Sequence, residues 1–498
     1  MHTPATDAVT PLYDIAAMRR IEVQATALCG GDDFALMQRA GAAAWRFLLQ
    51  HWPQAQRIVV ACGPGNNGGD GYVLARHSLE SGRQATVVHA AGHAPRSPLA
   101  RRAAAALLEA GGRAAEAGPS LPACDLVVDA LFGIGFSGRM DDAGAVLVAA
   151  IDACGAEVLA LDVPSGIDAS CGDVPGPAVR ATRTLQFIGD HAGLATGAAL
   201  DHLGALSMAP LDVPPAAFEG VEPVAWRLRA GALAGMLPRR TRTAHKGHSG
   251  HVLVAGGDHG MGGAAILAAS AALRAGAGLV SVATRAAHVA PLLARTPEAM
   301  VHAVEDPGDA TGLVAAADVC AVGPGLGQGA WGAGLLRAAA DGARALVLDA
   351  DGLNLLAAIP FGLPARTVLT PHPGEAARLL GVSVREVQRD RVAAAGALCA
   401  HFGCAVVLKG PGSVVAAPGA PARIIDAGNP GMAVGGMGDA LTGIIAALLA
   451  QGLPPAEAAA AGALQHAVAG DRAAAPGGHR GLLPSDLIAA LRGLEGGE

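Results

Sequence analysis

Two glycine-dense stretches hold the side chains best suited to chemistry. The first reads GPGNNGGDG, where Asn66, Asn67 and Asp70 stand among five glycines from Gly63 to Gly71. The second reads DAGNPGMAVGGMGDALTG, Asp426 to Gly443, where Asp439 closes a run of five glycines and one proline. Glycine lets a backbone approach a phosphate with no side chain in the way. Unpaired amides and the positive dipole end at a helix start attract the anion itself. Asp439 would then be a carboxylate beside an anion cradle, able to take a proton from a reacting hydroxyl. It is equally an ordinary Asp N-cap after a glycine turn, and the stretch alone does not separate the two. In the first stretch the Gly68 and Gly69 amides suit phosphate, and the Asn and Asp side chains suit ribose hydroxyls or a cation. A structural turn would not need two Asn and an Asp. No GKS or GKT follows this loop and its glycines miss the dinucleotide fingerprint, so a hydride-transfer cofactor is poorly supported.

The elements that must hold these residues alternate. Ile58–Cys62 is a short apolar strand, Gly63–Gly71 a loop, and Tyr72 onward a helix. Strands follow at 85–90, from 125 and from 157, with helices between them, which argues for a parallel sheet. Ligands of such sheets bind at the carboxyl ends of strands. Asn67, Asp129, Asp162 and Ser165 all fall at expected strand ends, so they can converge on one pocket; a lone Asp after a strand is more often a turn residue. Before this series, residues 12–50 read as two helices, the second with Leu36, Met37, Ala40, Ala44, Phe47 and Leu48 at helical spacing. Residues 205–243 are irregular, with Pro210, Pro214, Pro215, Pro223 and Pro238. The domain junction is expected near 220–230, dividing the chain into 1–225 and 226–498. A second strand–loop–helix series starts at HVLVAGG (251–257). Its further strands are LVSVAT, DVCAVGPG, ALVLDADGLNLL, RTVLTPHPGE and CAVVLKGPGSVVAA.

At 498 residues the chain is too long for one ordinary core. Hydrophobic residues make up 52% and charged ones 15%, with aromatics at only 3%, which suits Ala-rich helices buried on an α/β sheet. The apolar runs are shorter than the roughly 18–20 residues of a membrane span, and the N-terminus lacks a signal pattern. A soluble cytoplasmic protein is expected. The net charge of −7 is evenly spread, which excludes a basic nucleic-acid face. None of the eight cysteines forms a CxxC pair, so buried free thiols are expected rather than zinc or disulfides.

Two ordered motif sets carry a resemblance. NNGGDG (66–71), VVDALFGIGFSGR (127–139) and LDVPSGIDA (161–169) resemble the YjeF N-terminal family of NAD(P)H-hydrate epimerases. HKGHSGHVLVAGG (245–257), GMGGA (260–264), GPGLG (323–327), DADGLN (349–354), TPHPGE (370–375), LKGPGS (408–413) and GNPGMAVGGMGD (428–439) resemble the ADP-dependent NAD(P)H-hydrate dehydratases of the ribokinase-like superfamily. The resemblance covers nearly the whole chain, in the order of the fused, bifunctional repair enzymes. It implies a Rossmann-like doubly wound domain followed by a ribokinase-like α/β domain.

By matching position, the resemblance makes Asn66, Asn67, Gly68, Gly69 and Asp70 hydrate-binding. It does the same for Gly133, Ile134, Gly135, Phe136, Ser137, Gly138 and Arg139. Asn67, Asp129 and Ser165 match potassium ligands. Asp162 matches a substrate-binding acid and is the expected proton-transfer residue. In the second half, Ala264, Gly325, His372 and Asp439 match hydrate contacts. Lys409, Gly410, Pro411, Gly412, Ser413 and Gly438 match the adenine-nucleotide site, and Asp439 the ribokinase-type catalytic acid. Implied partners are NAD(P)H hydrate, ADP with Mg2+, K+ and a second copy in a homo-oligomer. Two departures stand out: His191 precedes Ala192 in DHAGL, where the family often carries Lys, and Gln38 stands where it commonly has Glu. The competing reading is a ribokinase-superfamily small-molecule kinase behind a non-catalytic nucleotide-binding module.

Overall fold

The structure, a computed structural model, describes residues 8–237, 241–359 and 361–494. Pro238 and residues 1–7, both used above, lie outside the described residues. The chain separates into two compact units, Met1–Ala225 and Trp226–Glu498.

The sheet of the first unit has seven strands, all parallel. Their order across the sheet is Ala114–Glu116, Gln84–His89, Arg57–Cys62, Leu126–Ala130, Glu157–Leu161, Arg183–Phe187 and Ala205–Ala209. From the third of these the chain first runs outward one way, then returns and runs outward the other way. The direction changes between Arg57–Cys62 and Leu126–Ala130, and a crevice opens there at the carboxyl ends. Both faces are covered. Ile58, Val60 and Cys62 enter one apolar cluster, while Val59 and Ala61 enter another, as alternation along a doubly covered strand requires.

The second unit repeats the principle. Its parallel order is Met300–Ala303, Leu279–Thr284, His251–Ala255, Val319–Val322, Leu346–Leu348, Thr367–Leu369 and Ala405–Leu408, extended by the antiparallel strands Val414–Ala417 and Ala420–Ile425. The switch lies between His251–Ala255 and Val319–Val322. The helix Met437–Ala450 is buried on most of its surface and packs on the helix Gly262–Arg274. A Cβ on Gly443 would come within 2.1 Å of the Ala268 carbonyl oxygen, so glycine sets that close approach.

Several boundaries differ from expectation. The helix expected from Tyr72 begins at Asn66, because Gly68, Gly69 and Gly71 pack inside its first turns. A Cβ on Gly68 would meet the Gly63 carbonyl oxygen at 2.0 Å, and one on Gly71 the Ala130 Cβ at 2.7 Å. A strand, Val9–Tyr13, precedes the first two helices. ALVLDADGLNLL is a strand followed by the helix Ala350–Ala358, and CAVVLKGPGSVVAA is a two-strand hairpin. No helix among the described residues is long and apolar enough to cross a membrane.

Candidate active sites

At the first switch point a cavity of about 670 Å³ opens. Asn66, Asn67 and Asp70 reach it from the helix start, and Gly133 to Phe136 from the loop after Leu126–Ala130. Gly68 and Gly69 do not line it, because they face Gly63 and Met37. Ser137, Gly138 and Arg139 lie beyond its wall.

Asp162 reaches the cavity from the end of strand Glu157–Leu161. Its φ of 64° is unusual for a non-glycine residue, and its N–H donates to the Leu185 carbonyl at 2.8 Å. Oδ2 accepts from the Ile134 amide at 3.2 Å, and Oδ1 lies 2.8 Å from His191 Nε2. The residue in place of the family's lysine therefore engages the expected acid directly. His191 is almost fully buried. Burial, the largest influence, works against its charged form, but the acids around it, Asp162 first and then Asp190 and Glu22, together raise the imidazole pKa.

Asp129 is fully buried at the adjoining strand end. Ser165 Oγ donates to Oδ1 at 2.6 Å, the Ser165 amide to Oδ2 at 2.8 Å, and the Leu131 amide to Oδ1 at 3.2 Å. Burial pushes its pKa up to about 6 despite these bonds. Both amide atoms of Asn67 are buried without a hydrogen-bond partner among the described residues. An orphaned amide oxygen, with hard oxygen donors at Asp129 and Ser165, fits a cation such as K+.

In the second unit, successive strand ends present Gly323, Asp349, Thr370 and Lys409. Lys409 Nζ lies 2.5 Å from Asp349 Oδ1 and 3.8 Å from Glu375 Oε2. Thr442 Oγ1, on the buried helix, donates to Asp349 Oδ2 at 2.9 Å. Burial opposes ionisation of Asp349, yet Lys409 holds its pKa below the ordinary carboxylate value. This ion pair sits under the helix start: a Cβ on Gly438 would lie 3.1 Å from Lys409 Nζ. The Lys409 ammonium is thus engaged by protein carboxylates. The rest of its segment, to Ser413, forms the hairpin turn, where Ser413 Oγ donates to the Gly410 carbonyl at 3.0 Å.

Asp439 is not the helix cap. Gly436 holds that position with φ 95°, and Asp439 lies in the first turn with no cap bond. A left-handed cap favours glycine, which leaves the carboxylate free of that duty. Burial, and then the charge of Asp349, raise its pKa to about 7, with Lys409 opposing. His372 caps the helix Pro373–Leu380: its Nδ1 accepts from the Gly374 amide at 2.9 Å. Burial and then Lys409 lower its pKa, so the ring is neutral and its Nε2 carries the proton. Ala264 and Gly325 adjoin at the switch point, where a Cβ on Gly325 would meet the Ala264 Cβ at 3.2 Å. They connect to the acidic centre through Gly323, whose Cβ would lie 1.9 Å from the Asp349 carbonyl oxygen.

Asp349, Glu375, Thr442 and Glu22 were not expected at either site. Asp349 carried the signal used for Asp129 and Asp162, an acid closing an apolar strand. Glu22, inside a helix, carried none.

The comparisons with known proteins agree with this division. The family model described as YjeF-related protein N-terminus matches residues 33–193, and the one described as NAD(P)H-hydrate dehydratase matches 252–492. A bifunctional NAD(P)H-hydrate repair enzyme of Coxiella burnetii is 46% identical over 97% of this chain and 99% of its own. Its namesake from Escherichia coli is 43% identical over 95% and 92%. A solved ribokinase-like superfamily protein of Enterococcus faecalis, 33% identical, covers 53% of this chain and 93% of its own with a TM-score of 0.50.

Proposed function

The chain belongs to the bifunctional NAD(P)H-hydrate repair enzymes, and on that premise we propose how its residues divide the work. Residues 226–498 dehydrate the S form of the hydrate at the expense of ADP. Hydroxide is a poor leaving group and phosphate a good one. Asp439 accepts the proton of the hydroxyl on ring carbon six as that oxygen takes the terminal phosphoryl group of ADP, releasing AMP. The amides of Gly435 to Gly438 and the helix dipole steady the transferring group. The ring nitrogen's electron pair then expels phosphate, and loss of a proton from carbon five restores the dihydronicotinamide. Lys409 and Asp349 neutralise each other beneath this site, so Asp439 is the carboxylate left to act. Mg2+ is expected with the nucleotide phosphates, whose charge it would neutralise.

Residues 1–225 interconvert the R and S forms. The Asp162–His191 pair handles the proton of the carbon-six hydroxyl as the bond to ring nitrogen opens and recloses. Asn67, Asp129 and Ser165 would hold K+, which would tie together the helix start, the strand end and the turn that carry them. The eight free cysteines suit a reducing compartment such as the cytoplasm.

The observation that carries the dehydratase reading is the partly buried Asp439 carboxylate, raised to about 7 at a glycine-capped helix start. Its test is the substitution Asp439→Asn, assayed with S hydrate, ADP and Mg2+ by return of reduced-cofactor absorbance. A fall in kcat of about 10²-fold or more, with nucleotide binding retained, is expected. A near-wild-type rate removes the assignment.

A further inference from the structure

Glu22 lies on the helix Ile15–Leu28, whose buried face carries Ala17, Met18, Ile21 and Ala25. Arg19, Glu22, Val23 and Thr26 line the first cavity at i, i+3, i+4 and i+7 spacing. Asp162 reaches that cavity from the sheet, so Glu22 approaches from a different wall. Among the described residues its carboxylate makes no hydrogen bond or ion pair, whereas Asp162 is engaged by His191 and Ile134. Nothing in the packing of the fold explains a bare glutamate at this point.

The reaction assigned to this cavity gives such a group a task. Opening the ring moves the hydroxyl proton off oxygen six and breaks the bond between carbon six and nitrogen. The electron pair goes to nitrogen, which takes up a proton. The aldehyde carbon then turns its other face, nitrogen attacks it and gives up that proton, and the oxygen regains one. Atoms and charges balance with no co-reactant. In the two epimers the hydroxyl projects from opposite faces of the ring. One fixed carboxylate serves one of those positions, and a second group must serve the other.

We propose that Glu22 is a second proton-transfer residue of the epimerase, acting on the epimer whose hydroxyl faces away from Asp162. This rests on the epimerase reading of the first unit. The electrostatics agree with the role. Burial, then the charge of Asp162, raise the Glu22 pKa to about 7, opposed by His191 and Arg19. Glu22 therefore exchanges protons near neutrality. The other charged groups facing the cavity are Asp70 and Asp33, on the two helices that flank it.

The test uses the full chain, pure R hydrate or pure S hydrate without ADP, and chromatographic separation of the epimers over time. Glu22→Gln should lower kcat for interconversion about 10²-fold, leave KM within about threefold and abolish the pH dependence near 7. Glu22→Asp should restore part of the rate. A thermal midpoint within a few degrees of wild type shows that the variant is folded, and if Glu22→Gln is unstable the Glu22→Asp pH profile decides. An unchanged kcat, or a rise in KM with the pH profile intact, overturns the proposal. Wild-type protein that does not interconvert the epimers overturns the epimerase reading itself, and the proposal with it.

Discussion

Asp439 illustrates how burial moves an ordinary carboxylate's titration towards neutrality. Its pKa rises from 3.8 to about 7, so the folded protein retains a proton there that the unfolded chain gives up. Stability is therefore highest below pH 4 as far as this group is concerned, and it declines as pH climbs through 7. Asp439→Asn removes that loss. At pH 8 the variant should be more stable than wild type by on the order of 1 kcal/mol, a figure discounted for the group's partial exposure. At pH 4 the two should unfold together. Denaturant titrations at both pH values check this, and a variant less stable at pH 8 contradicts it. The same group was legible in the sequence by its glycine context, although its local role was not. The cap is Gly436 rather than Asp439, because the left-handed turn of that glycine is hidden from residue order. His191 was legible only as a departure from the family pattern. Its bond to Asp162 depends on a strand pairing that no local spacing reveals.

The helices that carry the sites depend on glycine for close approach rather than for flexibility. Gly68 abuts the Gly63 carbonyl and Gly443 the Ala268 carbonyl, while a Cβ on Gly65 would meet nothing within 4 Å. Gly68→Ala and Gly443→Ala should each cost about 1–3 kcal/mol, since backbone must shift to admit the methyl group. Gly65→Ala should change stability by less than about 0.5 kcal/mol. Urea unfolding of the three variants measures this, and equal losses at all three positions would refute the packing account. These contacts also explain the misplaced helix start at Asn66. Dense glycine reads as loop from propensity, but here tertiary packing overrides propensity because the helix must enter the sheet's crevice closely. The strands were the most legible elements, since short apolar runs between glycine loops have few alternatives in an alternating chain. The hairpin after Ala405–Leu408 was missed because its turn, KGPGS, was read as a ligand loop alone.

At the scale of the whole molecule, the two units offer complementary chemistry on one chain. A dehydratase takes one epimer of the hydrate, and an epimerase renews its supply. The order of the motifs carried this from the sequence. Of the acids that tune each site, Asp349 carried a strand-end signal that was not followed, while the part of Glu375 beside Lys409 and that of Glu22 beside Asp162 depend on neighbours distant in sequence. The most direct measurement follows reduced-cofactor absorbance when purified protein meets a mixture of R and S hydrate with ADP and Mg2+. The account predicts full recovery in one continuous phase with wild type. With Asp162→Asn it predicts a fast phase equal to the S fraction, followed by slow uncatalysed recovery. With Asp439→Asn no fast phase should appear. Accumulation of a stable phosphorylated hydrate, with no return of absorbance in wild type, would contradict it.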